Sequence, residues 1–86
     1  MENNLLMAPE AYTEVLQGLV AKYMRFAMQH NIDLKDKGLE FVKYYNLIAH
    51  KAHKCMFCQT EDELIHYKNF ILEAQQKLEE YEKSYE

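Results

Sequence analysis

Apolar residues recur along the chain at spacings of three and four, the period of an α-helix with one buried face. The first such stripe begins shortly after Pro9, which suits a first helical turn because its missing N–H would be unpaired there anyway. Its members are Tyr12, Val15, Leu16, Leu19, Tyr23, Phe26, Ala27 and His30. Asn31 tolerates the left-handed conformation that ends many helices. We therefore predict a first helix over residues 9–30, after a flexible lead-in over residues 1–8.

The second stripe predicts a helix over residues 37–57. Its apolar face comprises Phe41, Val42, Tyr45, Ile48, Ala49, Ala52 and Met56. The preceding segment, residues 31–38, reads as a loop that contains two candidate N-caps, Asp33 and Asp36. The pattern does not choose between them.

The third helix has the clearest boundary in the sequence. Thr60 and Glu63 match a capping box, in which each side chain bonds the backbone N–H of the other residue. Apolar residues then alternate by three and four for three heptads, at Leu64, Tyr67, Ile71, Ala74, Leu78, Tyr81 and Tyr85. The spacing predicts a helix over residues 61–85 whose seam suits packing in a bundle or against a second copy.

These elements predict an all-α fold, a three-helix antiparallel bundle with up-down-up order that a homodimer could complete. A chain of 86 residues is one domain, over residues 9–86, and 2 Gly and 1 Pro are too few for an all-β fold. The N-terminal residues lack the basic and apolar regions of a signal peptide, and no apolar run is long enough to cross a membrane. We therefore expect a cytoplasmic protein with reduced cysteines.

Charge is distributed unevenly along the chain. The net charge is −4, but residues 33–60 carry five lysines against three acids, so the rest of the chain is strongly acidic. The second helix is expected to present a basic face formed by Lys43, Asn46, His50, Lys51 and Lys54. An alternative hypothesis is therefore a nucleic-acid-binding regulator. The acidic flanks and a single arginine, Arg25 on the first helix, argue against a nucleic-acid partner.

The sharpest local cluster is formed by His50, His53, Cys55 and Cys58, which are ligand types of structural zinc. Their spacing does not match familiar zinc motifs, and a continuous helix cannot direct all four at one ion. We therefore predict no metal and no cofactor, with a small zinc-stabilised domain as a second alternative. A redox role of the cysteine pair has less support than a zinc site, because the partial negative charge at the C-terminus of a helix disfavours a thiolate.

No catalytic motif is present, and we predict that the protein is not an enzyme. A second, smaller apolar group, Ala21, Met24 and Met28, projects away from the main stripe of the first helix. Methionine adapts readily at binding surfaces, and a second apolar face indicates a contact outside the bundle. The leading hypothesis is a helical protein-interaction module, such as an adaptor, an inhibitor or a regulatory subunit, that binds another protein or a second copy of itself.

Overall fold

The computed structural model describes residues 7–85, which form three α-helices, α1 (Pro9–Gln29), α2 (Glu40–Cys55) and α3 (Glu61–Ser84). No strand occurs within this range, so the predicted all-α class is confirmed. Most of the predicted lead-in, residues 1–6, lies outside the described part of the chain. Between residues 7 and 85, no helix is both long and apolar enough to traverse a lipid bilayer.

Contacts between helix ends establish the up-down-up order. The Cys55 thiol at the end of α2 donates to the carbonyl oxygen of Pro9 at the start of α1, at 3.7 Å, so these two helices run antiparallel. The rings of Phe26 and Tyr85, near the ends of α1 and α3, lie 5.2 Å apart, so α1 and α3 run parallel. The predicted three-helix antiparallel bundle is therefore confirmed.

The predicted caps of α1 and α3 form as the local sequence indicates. Pro9 is the first residue of α1, and Asn31 adopts a left-handed φ of 56° just after this helix. The N–H of Ile32 then bonds the carbonyl of Ala27 at 2.8 Å, which closes a Schellman motif. Thr60 caps α3, and both bonds of its capping box with Glu63 are present.

The start of α2 differs from the prediction, because this helix begins at Glu40 rather than at residue 37. Neither Asp33 nor Asp36 is its N-cap; Leu39 occupies that position without a side-chain bond. Each aspartate instead accepts a hydrogen bond from the backbone N–H two residues later, at 3.0 and 3.1 Å. These bonds form local turns that compete with helix, so the loop extends further than the apolar pattern indicates.

The core joins one face of every helix, and aromatic rings fill much of it. Tyr23 is fully buried, and its hydroxyl donates to the backbone carbonyl of Ala74 at 2.7 Å, which links α1 to α3. Its ring centroid lies 5.5 Å from that of Phe41 and 5.9 Å from that of Tyr44. The buried apolar residues are Tyr12, Leu16, Leu19, Tyr23, Phe26, Ala27, Phe41, Val42, Ile48, Ala52, Cys55, Phe70, Ile71, Ala74 and Leu78.

Met56 and Phe70 are among the residues whose burial differs from the expected stripes. The predicted stripe of the second helix included Met56, but α2 ends at Cys55 and the Met56 side chain is 54% exposed. Bonds from the N–H of Phe57 and Cys58 to carbonyls three residues earlier turn the chain here and direct Met56 outward. Conversely, Phe70 is buried although it precedes the predicted seam residue Ile71. It fills the space between α2 and α3, where its ring lies 5.9 Å from that of Tyr44.

Candidate functional site

The apolar group predicted on α1 lies on one exposed face of that helix. Met24 and Met28 are 40% and 72% exposed, and Ala21 is exposed beside them. These three residues, the methionine patch, line a shallow depression of about 350 Å³ together with Gln17, Val20 and Arg25. The arrangement can accept apolar side chains of a partner, with the guanidinium of Arg25 at its edge.

The basic face predicted on the second helix is only partly assembled. Lys43, Asn46, His50 and Lys54 are exposed on α2. Their spacings of three or four residues place them along one side of the helix. They form a solvated polar stripe rather than a cleft.

Lys51 does not belong to that stripe, because its side chain turns toward α3. Its Nζ lies 2.7 Å from Nε2 of His66 and 5.4 Å from the centroid of the Phe70 ring. Tyr67 forms a second cation–π contact at 5.8 Å. Lys51 therefore helps to pack α2 against α3, and the exposed basic face is smaller than predicted.

The structure does not gather His50, His53, Cys55 and Cys58 around one point. Within residues 7–85, no three His, Cys, Asp or Glu side chains are placed to hold a metal ion together. Cys55 is fully buried with its thiol on the Pro9 carbonyl, and the His53 ring lies 6.1 Å from that of Phe57.

The two cysteines do approach each other at the end of α2. Both are free thiols, and the backbone N–H of Cys58 bonds the carbonyl of Cys55 at 3.2 Å. Burial, followed by the neighbouring Cys55 and Glu63, raises the pKa of the Cys58 thiol. A raised pKa leaves less thiolate at neutral pH, so Cys58 has the opposite setting to that of a reactive redox cysteine.

A second depression, between α1 and α3, was not anticipated from the sequence. This α1–α3 groove has a volume of about 480 Å³ and a floor formed by Leu19, Phe26 and Leu78. Lys22 and Arg25 of α1, the basic wall, line one side. Glu79 and Glu82 of α3, the acidic wall, line the other. All four wall residues are exposed.

A sequence signal for these walls exists but does not reveal their position. Lys22 and Arg25 are three residues apart, as are Glu79 and Glu82, so each pair lies along one side of its own helix. The pairs are more than fifty residues apart in the chain. Only the parallel packing of α1 and α3 brings them to the same groove.

Comparisons of the chain with protein-family models, with curated proteins and with solved structures find no match.

Proposed function

We propose that this protein is a non-enzymatic protein-interaction module whose methionine patch binds a helix of another protein. The observation that carries the proposal is the exposure of Met24 and Met28, at 40% and 72%, in one depression of α1. Exposed apolar side chains that cluster, rather than lie singly, are typical of binding surfaces. A partner helix would insert its apolar residues between the methionines, in the manner of helix-in-groove recognition.

The charge beside the patch favours a partner of a different sequence. Arg25 is the one ionisable side chain of the depression. Two copies that met through this patch about a two-fold axis would bring their Arg25 side chains together, which is unfavourable. The preferred partner instead carries a carboxylate next to its apolar residues, because a guanidinium binds a carboxylate through two parallel hydrogen bonds.

The experiment compares binding by the wild type with binding by the double variant Met24→Glu and Met28→Glu. The wild-type chain is cross-linked in cell extract, and each partner is identified, purified and titrated against both chains. We expect the variant to bind a true partner at least about tenfold more weakly, since two buried apolar contacts are replaced by charge.

Met56→Glu provides the matched control, because it makes the same change at an exposed methionine on another part of the surface. This control should bind as the wild type does. If the purified partners bind the patch variant and the wild type equally, the proposed function is wrong.

The proposal includes a cytoplasmic location and a regulatory or adaptor role. The nucleic-acid alternative has less support, because Lys51 is turned toward α3. Salt-dependent binding of mixed DNA that is abolished by Lys43→Glu with Lys54→Glu would favour that alternative over protein binding.

A further inference from the structure

We propose that a second copy of this chain docks on the α1–α3 groove, forming a parallel homodimer about a two-fold axis that runs along the helices. This interface shares Arg25 with the edge of the methionine patch, but it does not use Met24 or Met28 and does not depend on the function proposed for them. Three observations support it: the opposite charges of the groove walls, the parallel direction of α1 and α3, and an exposed glycine on α1 that leaves room for a neighbouring helix.

The groove carries both signs of charge on an apolar floor. Lys22 and Arg25 form the wall on α1, and Glu79 and Glu82 form the wall on α3, while Leu19, Phe26 and Leu78 lie between them. A two-fold interface brings the same surface of each copy together, so it must be complementary to itself. A face with one basic and one acidic wall meets this requirement, whereas a face of single charge does not.

The charge pattern also selects the orientation of the two copies. With the axis parallel to the helices, α1 of one copy lies over α3 of the other at the same height, so that each basic wall faces an acidic wall. If the axis instead ran perpendicular to the helices, α1 of one copy would lie over α1 of the other and α3 over α3. Walls of the same charge would then face each other. Because both wall pairs have the same three-residue spacing on parallel helices, the first arrangement aligns them in register.

Below the charged walls, α1 has an exposed glycine that leaves room for a neighbouring helix. Gly18 lies seven residues before Arg25 on α1, and a Cβ built there would meet nothing within 4 Å. The register that opposes Lys22 to Glu79 and Arg25 to Glu82 places Gly18 level with Gln75 of the second copy, where the absent side chain lets a neighbouring chain approach closely.

The test reverses the sign of the charge on one wall at a time. In the acidic variant, Lys22→Glu with Arg25→Glu, both walls are negative; in the basic variant, Glu79→Lys with Glu82→Lys, both are positive. Native mass spectrometry and sedimentation velocity then measure dimer formation of each chain over protein concentrations up to about 1 mM. Circular dichroism establishes that the variants remain helical.

We expect the wild type to dimerise and each variant alone to dimerise at least about tenfold more weakly, because like charges oppose each other twice per dimer. An equimolar mixture of the two variants should recover a heterodimer, since each acidic wall then faces a basic one. A wild type that stays monomeric up to about 1 mM would overturn the proposal. So would variants that dimerise normally, or a mixture that does not form the heterodimer.

A variant outside the charged walls gives an independent measurement. Gly18→Gln has open space in the monomer and should keep the fold, but its side chain would fill the space that Gly18 leaves for Gln75 of the second copy. We expect this change to weaken the dimer by at least about tenfold. Met24→Gln with Met28→Gln removes the apolar side chains of the patch without adding charge beside Arg25 and should leave the dimer unchanged, so failure of the dimer and failure of the proposed function are distinguishable. A dimer that tolerates Gly18→Gln would contradict the proposed orientation.

Discussion

Two neighbouring tyrosines of the core differ in whether their hydroxyl groups are hydrogen-bonded. The Tyr23 hydroxyl donates to the carbonyl of Ala74 at 2.7 Å. The Tyr44 hydroxyl is buried without a hydrogen-bond partner among the described residues, and the Nζ of Lys77 lies over its ring at 5.2 Å from the centroid. A buried hydroxyl without a partner loses its hydration and gains nothing in return.

Removing each hydroxyl should therefore have a different effect on stability. Tyr23→Phe should lower the free energy of unfolding by about 1 kcal/mol, which is typical of one buried hydrogen bond. Tyr44→Phe should leave it unchanged or raise it by up to about 1 kcal/mol, because the unpaired group is removed. Urea denaturation of the two variants checks this prediction. An equal loss of stability in both would show that the hydroxyl of Tyr44 is also satisfied in the folded state.

At the scale of the elements, α3 has the best-defined start of the three helices. The backbone N–H of Glu63 donates to Oγ1 of Thr60 at 3.2 Å, and the Glu63 carboxylate accepts from the N–H groups of Gln59 and Thr60 at 2.8 and 3.1 Å. The bond from Gln59, with those from Thr60, lowers the pKa of Glu63 despite partial desolvation. Neither α1 nor α2 has a side-chain bond at its N-cap.

Replacing the cap should destabilise the bundle through α3. Thr60→Ala should lower the free energy of unfolding by about 1 kcal/mol, because it removes the acceptor for a helix N–H. Thr60→Ser, which keeps the hydroxyl, is the matched control and should retain most of the stability. Thermal melts followed by circular dichroism measure both. If the alanine and serine variants melt at the same temperature, the cap does not contribute to stability.

The capping box of Thr60 and Glu63 also makes the stability of the fold depend on pH in the acidic range. Since the pKa of Glu63 is lowered in the folded state, its contribution to stability is present above the ordinary value of 4.5. That contribution is lost as the pH falls from this value through the lowered pKa. The Glu63→Gln variant lacks this carboxylate, so its free energy of unfolding should fall less steeply with decreasing pH than that of the wild type. Urea titrations at several pH values between the ordinary pKa and the lowered pKa measure this difference.

At the scale of the whole molecule, the three helices are joined by a continuous aromatic cluster. The ring of Phe41 at the start of α2 lies 5.1 Å from that of Tyr81 and 5.4 Å from that of Phe26. Such pairs stabilise beyond the area that they bury, and here they connect all three helices at one end of the bundle. Tyrosine hydroxyl groups lie within this cluster, so the core contains groups that ionise in alkali.

Alkaline pH should therefore unfold the bundle cooperatively. Burial, and then neighbouring acidic groups, raises the pKa of Tyr44 from 10.0 to about 12 and raises that of Tyr23 further. A folded-state pKa above the unfolded value means that stability is complete below pH 10 and is lost as the pH rises toward 12. Helical circular dichroism and tyrosinate absorbance should change together in this range. Tyrosines that ionise near their ordinary pKa while the helices persist would contradict the prediction.

How well the sequence predicts each part of the site depends on how far apart in the chain the residues that form it lie. The members of the methionine patch are exposed together because they lie within eight residues of one helix. The basic face of α2 was predicted less well, because Lys51 turns toward His66 on another helix. The α1–α3 groove could not be predicted at all, since its walls belong to helices that are not adjacent in the chain.

The sequence by itself determined the three helices, the caps of α1 and α3 and most of the core face, because the helical period and the capping bonds act over a few residues. It did not determine where α2 begins, since the side chains of Asp33 and Asp36 bond nearby backbone N–H groups and form turns in place of helix. Only the tertiary structure decided that α1 and α3 lie side by side and that Tyr23 bonds α3. Those arrangements depend on packing between residues about fifty positions apart, which no local pattern encodes.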